Sequence, residues 1–325
     1  MNHKKNMAST TSTIANTKSN SKWRSIKRRL NMDWQLYLII ALPLIWLIVF
    51  MYVPMYGVQI AFRKFQATKG IMGSDWVGMA NFIKFFGSYN FQKIIVNTLA
   101  ISVYDLILGF PFPIILALLI NNCLKPWFKK ASQIITYMPY FISTVVMVGM
   151  IIQFTSPRVG IINFALTGMG REAIDFMANP GYFRHIYVWT NIWQGTGWNA
   201  ILYLSALSAI DPGLHEAAMI DGASRFKRMI HVDFPGIIPT ITILLILRAG
   251  QIMNVGFEKV FLMQNSLNLD TAELISTYVY KVGLASAAAD FSYAASIGLF
   301  NSVINLILIA FVNFVSTKTS ETSLW

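Results

Sequence analysis

The chain has 325 residues, is 55% hydrophobic and 12% charged, and carries a formal net charge of +12. That balance lies far from a soluble globular domain and makes lipid the solvent for most of the chain. A nucleic-acid protein would gather its positive charge on a polar, basic-striped domain; here it collects between apolar runs, which argues for membrane orientation and for no nucleic-acid partner.

Residues 1–33 are rich in Ser, Thr, Asn and Lys and end in the basic cluster Lys22, Arg24, Lys27, Arg28 and Arg29. They read as a cytoplasmic tail with a juxtamembrane anchor to membrane lipid. The apolar run that follows is too long for a signal-peptide core and lacks a small-x-small cleavage site, so it reads as an uncleaved first span.

Crossing about 30 Å of hydrocarbon takes about 20 helical residues. Six stretches qualify: Leu36–Tyr56, Ile94–Ile120, Ile134–Phe154, Ile186–Leu207, Ile237–Met253 and Tyr293–Val315. The predicted fold is therefore an all-α membrane protein, with a six-helix domain over 34–316 and a cytoplasmic tail over 317–325. Pro111 and Pro113 predict a kink in the second span. With the N-terminus inside, the inner segments hold 15 Lys and Arg and the outer segments 10. The dense cluster before the first span decides the orientation, with both termini cytoplasmic.

Two outer stretches, Trp76-Val77-Gly78-Met79-Ala80-Asn81-Phe82 and Gly160-Ile161-Ile162-Asn163-Phe164, mix aromatic and amide residues with Gly. They read equally well as a docking surface or as interfacial anchoring. No outer segment is long enough for a separate folded domain.

Polar residues within the spans are costly and face protein or water. Asp105 lies about 18 Å into the second span and Arg248 roughly 16 Å into the fifth, at 1.5 Å per residue, so they can meet near the midplane. Two readings stand: a buried pair that fixes packing, or an Arg248 that faces the pathway and attracts a substrate carboxylate. In the fourth span Asn191, Gln194 and Trp198 share one helical face, with Trp189, Trp193, Asn199 and Tyr203 on adjacent ones. Amides beside aromatic planes match sugar hydroxyls and C–H faces; belt anchoring and helix packing through Gly195 and Gly197 explain them as well. Gln251, Asn254 and Asn301 add amides on the fifth and sixth spans.

Between the fourth and fifth spans lies a polar loop, 211–235. Asp211 is a natural N-cap and Pro212 fits the first helical position. Helix is expected from Leu214 to Gly222, which is free to take the left-handed turn that ends one. Ser224 can cap a second short helix carrying Arg225, Lys227 and Arg228. Such a hairpin buries little of itself and suits burial by a partner. His215 and His231 read as surface groups at that contact.

The segment Glu216-Ala217-Ala218-Met219-Ile220-Asp221-Gly222, followed by Val232-Asp233-Phe234-Pro235, resembles the EAA loop of permeases in binding-protein-dependent ABC importers. Phe234 stands where that pattern usually has Leu. The resemblance implies the type I importer permease fold. It implies ATPase coupling through Glu216, Ala217, Ala218, Met219, Asp221, Gly222, Ala223 and Arg225, and a pathway drawn from Asn191, Gln194, Trp198, Asn199, Arg248, Gln251, Asn254 and Asp105. Val255–Leu262, Ile275–Tyr280 and the terminal Ser320–Trp325 are similar to the branch importing alginate, aldouronate and pectin-derived oligosaccharides. Its members pair with a second permease subunit, two ATPase subunits and an extracytoplasmic sugar-binding protein, in the bacterial plasma membrane. No Gly-x-x-x-x-Gly-Lys-Ser/Thr phosphate loop occurs, so ATP and Mg²⁺ belong to the partner subunits and no cofactor is expected here. No catalytic set is present either. Neither a lone Cys123 nor the four scattered histidines (His3, His185, His215, His231) predict a metal site. An ion-coupled carrier acting without ATPases is the alternative; it would need midplane ionisable groups and inverted repeats, and no clear repeat is visible.

Overall fold

A computed structural model describes residues 32–319; the basic cluster of the N-terminal tail and the final Ser320–Trp325 lie outside the described residues. The first span, Trp34–Phe62, is a 29-residue helical run. It begins as α1 (Trp34–Leu47) and widens into a π turn at Ile48–Tyr52. It exposes its side chains from Trp34 to Tyr56, apart from half-buried Ala41. The chain up to Gln59 forms one unit, and the chain from Ile60 onward forms another.

The second unit opens with a small antiparallel ribbon, β1 (Arg63–Gln66) against β2 (Ser74–Trp76), in which Arg63 faces Trp76. Helix α2 (Ala80–Phe86) follows. The second span is a pair, α3 (Asn90–Gly109) and α4 (Pro111–Asn121), broken where the prolines require it. The third departs from the expected single helix Ile134–Phe154. Helix α5 (Pro126–Tyr137), extended by a 3₁₀ turn to Phe141, meets α6 (Thr144–Thr155) at 97°. Pro139 sits at the start of the 3₁₀ turn, and the hydroxyl of Ser143 accepts from the Val146 amide to begin a new helix. Apolar composition runs straight through this break, so composition alone conceals it.

After α7 (Ile161–Gly168) the fourth span, α8 (Pro180–Ser208), runs 29 residues. Asn179 caps it by accepting from the Gly181 amide. It is the central post, packed along α3, α4 and α5. The loop helix α9 (Pro212–Ile220) comes next. The expected second short helix is not separate: α10 (Arg225–Arg228) passes through a π turn at Met229–Asp233 directly into α11 (Phe234–Ala249). The fifth span therefore runs Arg225–Ala249, and stops four residues short of the expected Met253. The short helices α12 (Phe257–Met263) and α13 (Ile275–Tyr280) lead into the sixth span, α14 (Phe291–Thr319). Four of these runs are long and apolar enough to cross a membrane, and the bent third makes a fifth. The remaining one, α8, has the length, with Asn, Gln, Gly and Trp diluting its apolarity.

Three clusters hold the second unit together. Ile101, Val148, Phe183, Val188 and Val260 join α3, α6, α8 and α12. Ile114, Leu118, Tyr203 and Ile237 join α4, α8 and α11 at the opposite end. Phe85, Ile94, Ile275 and Ile297 seal α2, α3, α13 and α14. Near the ribbon, the Lys84 ammonium lies 2.8 Å from Asp290. Burial works to raise the Asp290 carboxyl, but hydrogen bonds from Lys84 and from the Tyr293 and Ser292 amides outweigh it and hold it below its ordinary value.

Candidate functional site

Two regions of the second unit carry the chemistry. The first is a cavity of about 260 Å³ among α3, α8 and the end of α11, lined by Asp105, Tyr187, Asn191, Arg248, Gln251 and Asn254 with apolar neighbours. Arg248 occupies the last turn of α11, and Asp105 the fifth turn of α3. The guanidinium donates to Asp105 Oδ2. Asn191 Nδ2 donates to Asp105 Oδ1 at 2.9 Å, so both carboxylate oxygens are engaged. The pair still faces the cavity, because the Arg248 side chain stays 38% exposed. Arg248 thus pairs with Asp105 and lines the cavity at once.

A second cavity, about 220 Å³, shares Arg248 and Gln251 as walls and extends past Asn199, Tyr203 and Leu247 to Phe110. The two adjoin at Arg248 and Gln251 and form one trough along α8. Of the shared-face trio, Asn191 alone lines it. Gln194 Nε2 instead donates to the Ile142 carbonyl at 3.0 Å, in the bend between the 3₁₀ turn and α6. The indole of Trp198 stacks on Tyr140 with ring centres 4.4 Å apart and planes at 2°. Both residues support the bent third span, whose freed carbonyl needs a donor. Trp189 and Trp193 line a separate apolar groove with Ile135 and Pro139. Asn254 Oδ1 accepts from Asn301 at 2.9 Å and from Asn305 at 3.2 Å, tying the trough to α14.

Sequence reasoning passed over Lys259 beside this trough. It lies on α12, outside the spans, with its residue 6% exposed and its ammonium unbonded and 5.1 Å from the Tyr187 ring centre. Burial pushes its pKa down to about 8, with the Asp105 charge pulling the other way. The available signal was the Glu258-Lys259 pair inside the otherwise apolar run Val255–Met263.

The amides of the two loop stretches, Asn81 and Asn163, turn toward the protein. Asn81 Nδ2 donates to the Ala61 and Arg63 carbonyls, at 2.9 and 3.2 Å. Asn163, 2% exposed, donates to the Thr155, Ser156 and Ile174 carbonyls and accepts from the Ile174 amide. Trp76 remains 62% exposed.

The second region is the loop 211–235. Asp211 Oδ1 accepts from the Gly213 amide at 2.9 Å and starts α9 with Pro212 in its first turn. Gly222 takes φ +73°, and the Ala223 amide reaches back to the Ala218 carbonyl at 2.9 Å, a helix stop that needs glycine. Ser224 caps α10 through the Lys227 amide. Glu216, Ala217, Met219 and Asp221 are exposed, with Ile220 at 87%. Ala218 and Ala223 are half-buried and Arg225 exposed. Among the described residues the loop offers an apolar edge of Leu214, Met219, Ile220 and Phe226 with small residues between.

Residues 109–321 match the family described as the binding-protein-dependent transport system inner membrane component. The chain belongs to this family: it is a permease component of an ABC transport system in the membrane. It is 40% identical to protein LplB of Bacillus subtilis over 91% of this chain and 92% of LplB. It is likewise 40% identical, over 89% and 90% of the two chains, to YteP of the same organism, a polygalacturonan/rhamnogalacturonan transport system permease protein. In fold it matches a chain of a bacterial alginate ABC transporter crystallised with an alginate pentasaccharide-bound periplasmic protein. The TM-score is 0.83 at 37% identity, over 91% of this chain and 99% of that one. This family membership sets aside the ion-coupled carrier working alone.

Proposed function

We propose that this permease forms one half of the translocation pathway of an ATP-driven importer of acidic, uronate-containing oligosaccharides. The observation that carries the substrate class is Arg248, a cation on the wall shared by both cavities, with amides of Asn191, Gln251 and Asn254 around it. Amides suit sugar hydroxyls, and a guanidinium is the natural partner of a uronate carboxylate. The names of the relatives, which handle polygalacturonan and alginate, support the same class.

In this reading the knob faces the cytoplasm, as do both termini, and Glu216, Ala217, Ala218, Met219, Asp221, Gly222, Ala223 and Arg225 seat in a cleft of one of two ATPase subunits. Those subunits hold ATP and Mg²⁺. A second, homologous permease completes the pathway, and an extracytoplasmic sugar-binding protein delivers the oligosaccharide. Closure of the ATPases pulls on α9 and rocks the spans on either side as rigid bodies. The first span's exposed side chains from Trp34 to Tyr56 suit lipid and a partner permease.

Purification of the tagged chain from its own host, followed by uptake assays in proteoliposomes, tests the proposal. The expected result is co-elution of two ATPase subunits and a sister permease, with ATP-dependent uptake of uronate oligosaccharides above neutral ones of equal length. Equal uptake of both would remove the substrate class; a chain that elutes alone would remove the coupling.

A further inference from the structure

Helix α9 makes sparse contact with the rest of the chain. It exposes most of its side chains and half-buries two, His215 and Ala218, one turn apart. A helix held so lightly can rock at its ends, where Pro212 and the left-handed Gly222 join it to the chain. A lever that rocks transmits nothing, so the polar contact on its sheltered face is decisive.

That contact is His215. Its Nε2 lies 3.1 Å from Asp233 Oδ1. Asp233 is fully buried, at the last position of the π turn that feeds α11. Its other oxygen, Oδ2, accepts from Asn122 Nδ2 at 2.9 Å. Asn122 is the C-cap of α4, and the same Nδ2 donates to the Leu118 carbonyl at 3.0 Å. Oδ1 accepts no aligned hydrogen bond, so the group that answers its charge is the imidazole. A buried carboxylate without such an answer is expensive, and this one is placed where three elements converge. The contact requires a proton on Nε2, as a neutral tautomer or as the imidazolium.

We infer that His215 is a positioning residue for energy coupling. The bridge His215–Asp233–Asn122 fastens α9 to the adjoining ends of α4 and the fifth span. A displacement of the knob then moves two spans together instead of bending the loop. This rests on the coupling reading above and adds to it the residue through which force leaves the knob.

The test uses the whole importer in proteoliposomes and reads sugar imported per ATP hydrolysed, which a merely structural role would leave unmoved. His215→Ala is expected to lower that ratio about tenfold, within the usual range of coupling free energies. His215→Gln keeps a donor toward Asp233 and should recover most of it. Asn122→Ala, away from the exposed face of α9, should lower the ratio as well. It decides the matter if His215→Ala fails to assemble. Unchanged ratios in assembled His215→Ala or Asn122→Ala complexes would overturn the bridge while leaving the coupling reading intact. A purified wild-type assembly without ATPase subunits would overturn both.

Discussion

Arg248 and Asp105 are 143 residues apart in sequence and share a hydrogen-bonded ion pair across the fifth and second spans. The pair holds the end of α11 against α3 and at the same time presents a cation to the trough. Removing one partner leaves the other charge sheltered and unanswered. Arg248→Gln or Asp105→Asn alone should cost roughly 1–2 kcal/mol, a discounted figure because the guanidinium is partly exposed. The double substitution should recover most of that loss. Thermal unfolding in detergent of the two single variants and the double one checks this. Uptake should separate the two roles of Arg248: the double variant regains stability yet imports uronate oligosaccharides at least about tenfold more slowly.

Gly222 supplies the left-handed residue on which the exposed helix ends. A Cβ there would meet no atom within 4 Å, so sterics with neighbours play no part. Its φ of +73° is the whole cost. Gly222→Ala should strain the turn by about 1–2 kcal/mol and reorient α10 relative to α9. The expected outcome is a folded permease with weakened ATPase co-purification. Full retention of the ATPases at high salt would contradict it.

The knob was legible in the sequence because its signals are local: a capping Asp211, Pro212, a stop glycine and Ser224 all act within a few residues. Four of the spans were legible because their runs are long and apolar enough to cross a membrane. The right-angled break of the third span was not, since Ile134–Phe154 is apolar on both sides of it. Pro139 and Ser143 were the available signals, and either alone occurs in unbroken membrane helices. Nor did the face shared by Asn191, Gln194 and Trp198 foretell that Gln194 and Trp198 support the break while Asn191 reaches Asp105. Helical spacing says which residues point together, not which backbone carbonyl waits opposite. His215 facing inward, where a surface group was expected, is the same kind of surprise: Asp233 lies beyond the turn, on another element.

Gly197 allows the central post to touch the third span backbone to backbone. A Cβ at this position would fall inside the van der Waals shell of the Thr136 carbonyl on α5. The obstacle is main chain, which cannot rotate aside. Gly197→Ala should therefore force α8 and α5 apart, cost roughly 1–3 kcal/mol, and disturb the Gln194–Ile142 and Trp198–Tyr140 contacts on the same stretch. Loss of thermal stability together with a changed tryptophan emission spectrum would report it. Gly195→Ala serves as the comparison, since its Cβ would meet only the Asn199 side chain at 3.4 Å and should cost much less.

Lys259 gives the protein a pH dependence of unusual sign for a lysine. Its ammonium has no hydrogen bond, and burial lowers its pKa from 10.5 to about 8. Between those two values the unfolded chain holds a proton that the folded one has released, so stability rises with pH across that window. Below about pH 8 the folded state carries the cost of a buried ammonium without a hydrogen bond, which the Asp105 charge offsets only in part. Lys259→Met keeps the length and removes the charge. It should raise stability at pH 7 by roughly 2–3 kcal/mol, and by less than half as much at pH 10. Melting curves of the wild type and Lys259→Met at the two pH values provide the measurement. A gain equal at both would mean that packing, not charge, sets the difference. A loss at pH 7 would mean that the ammonium has an answering group in the assembled importer.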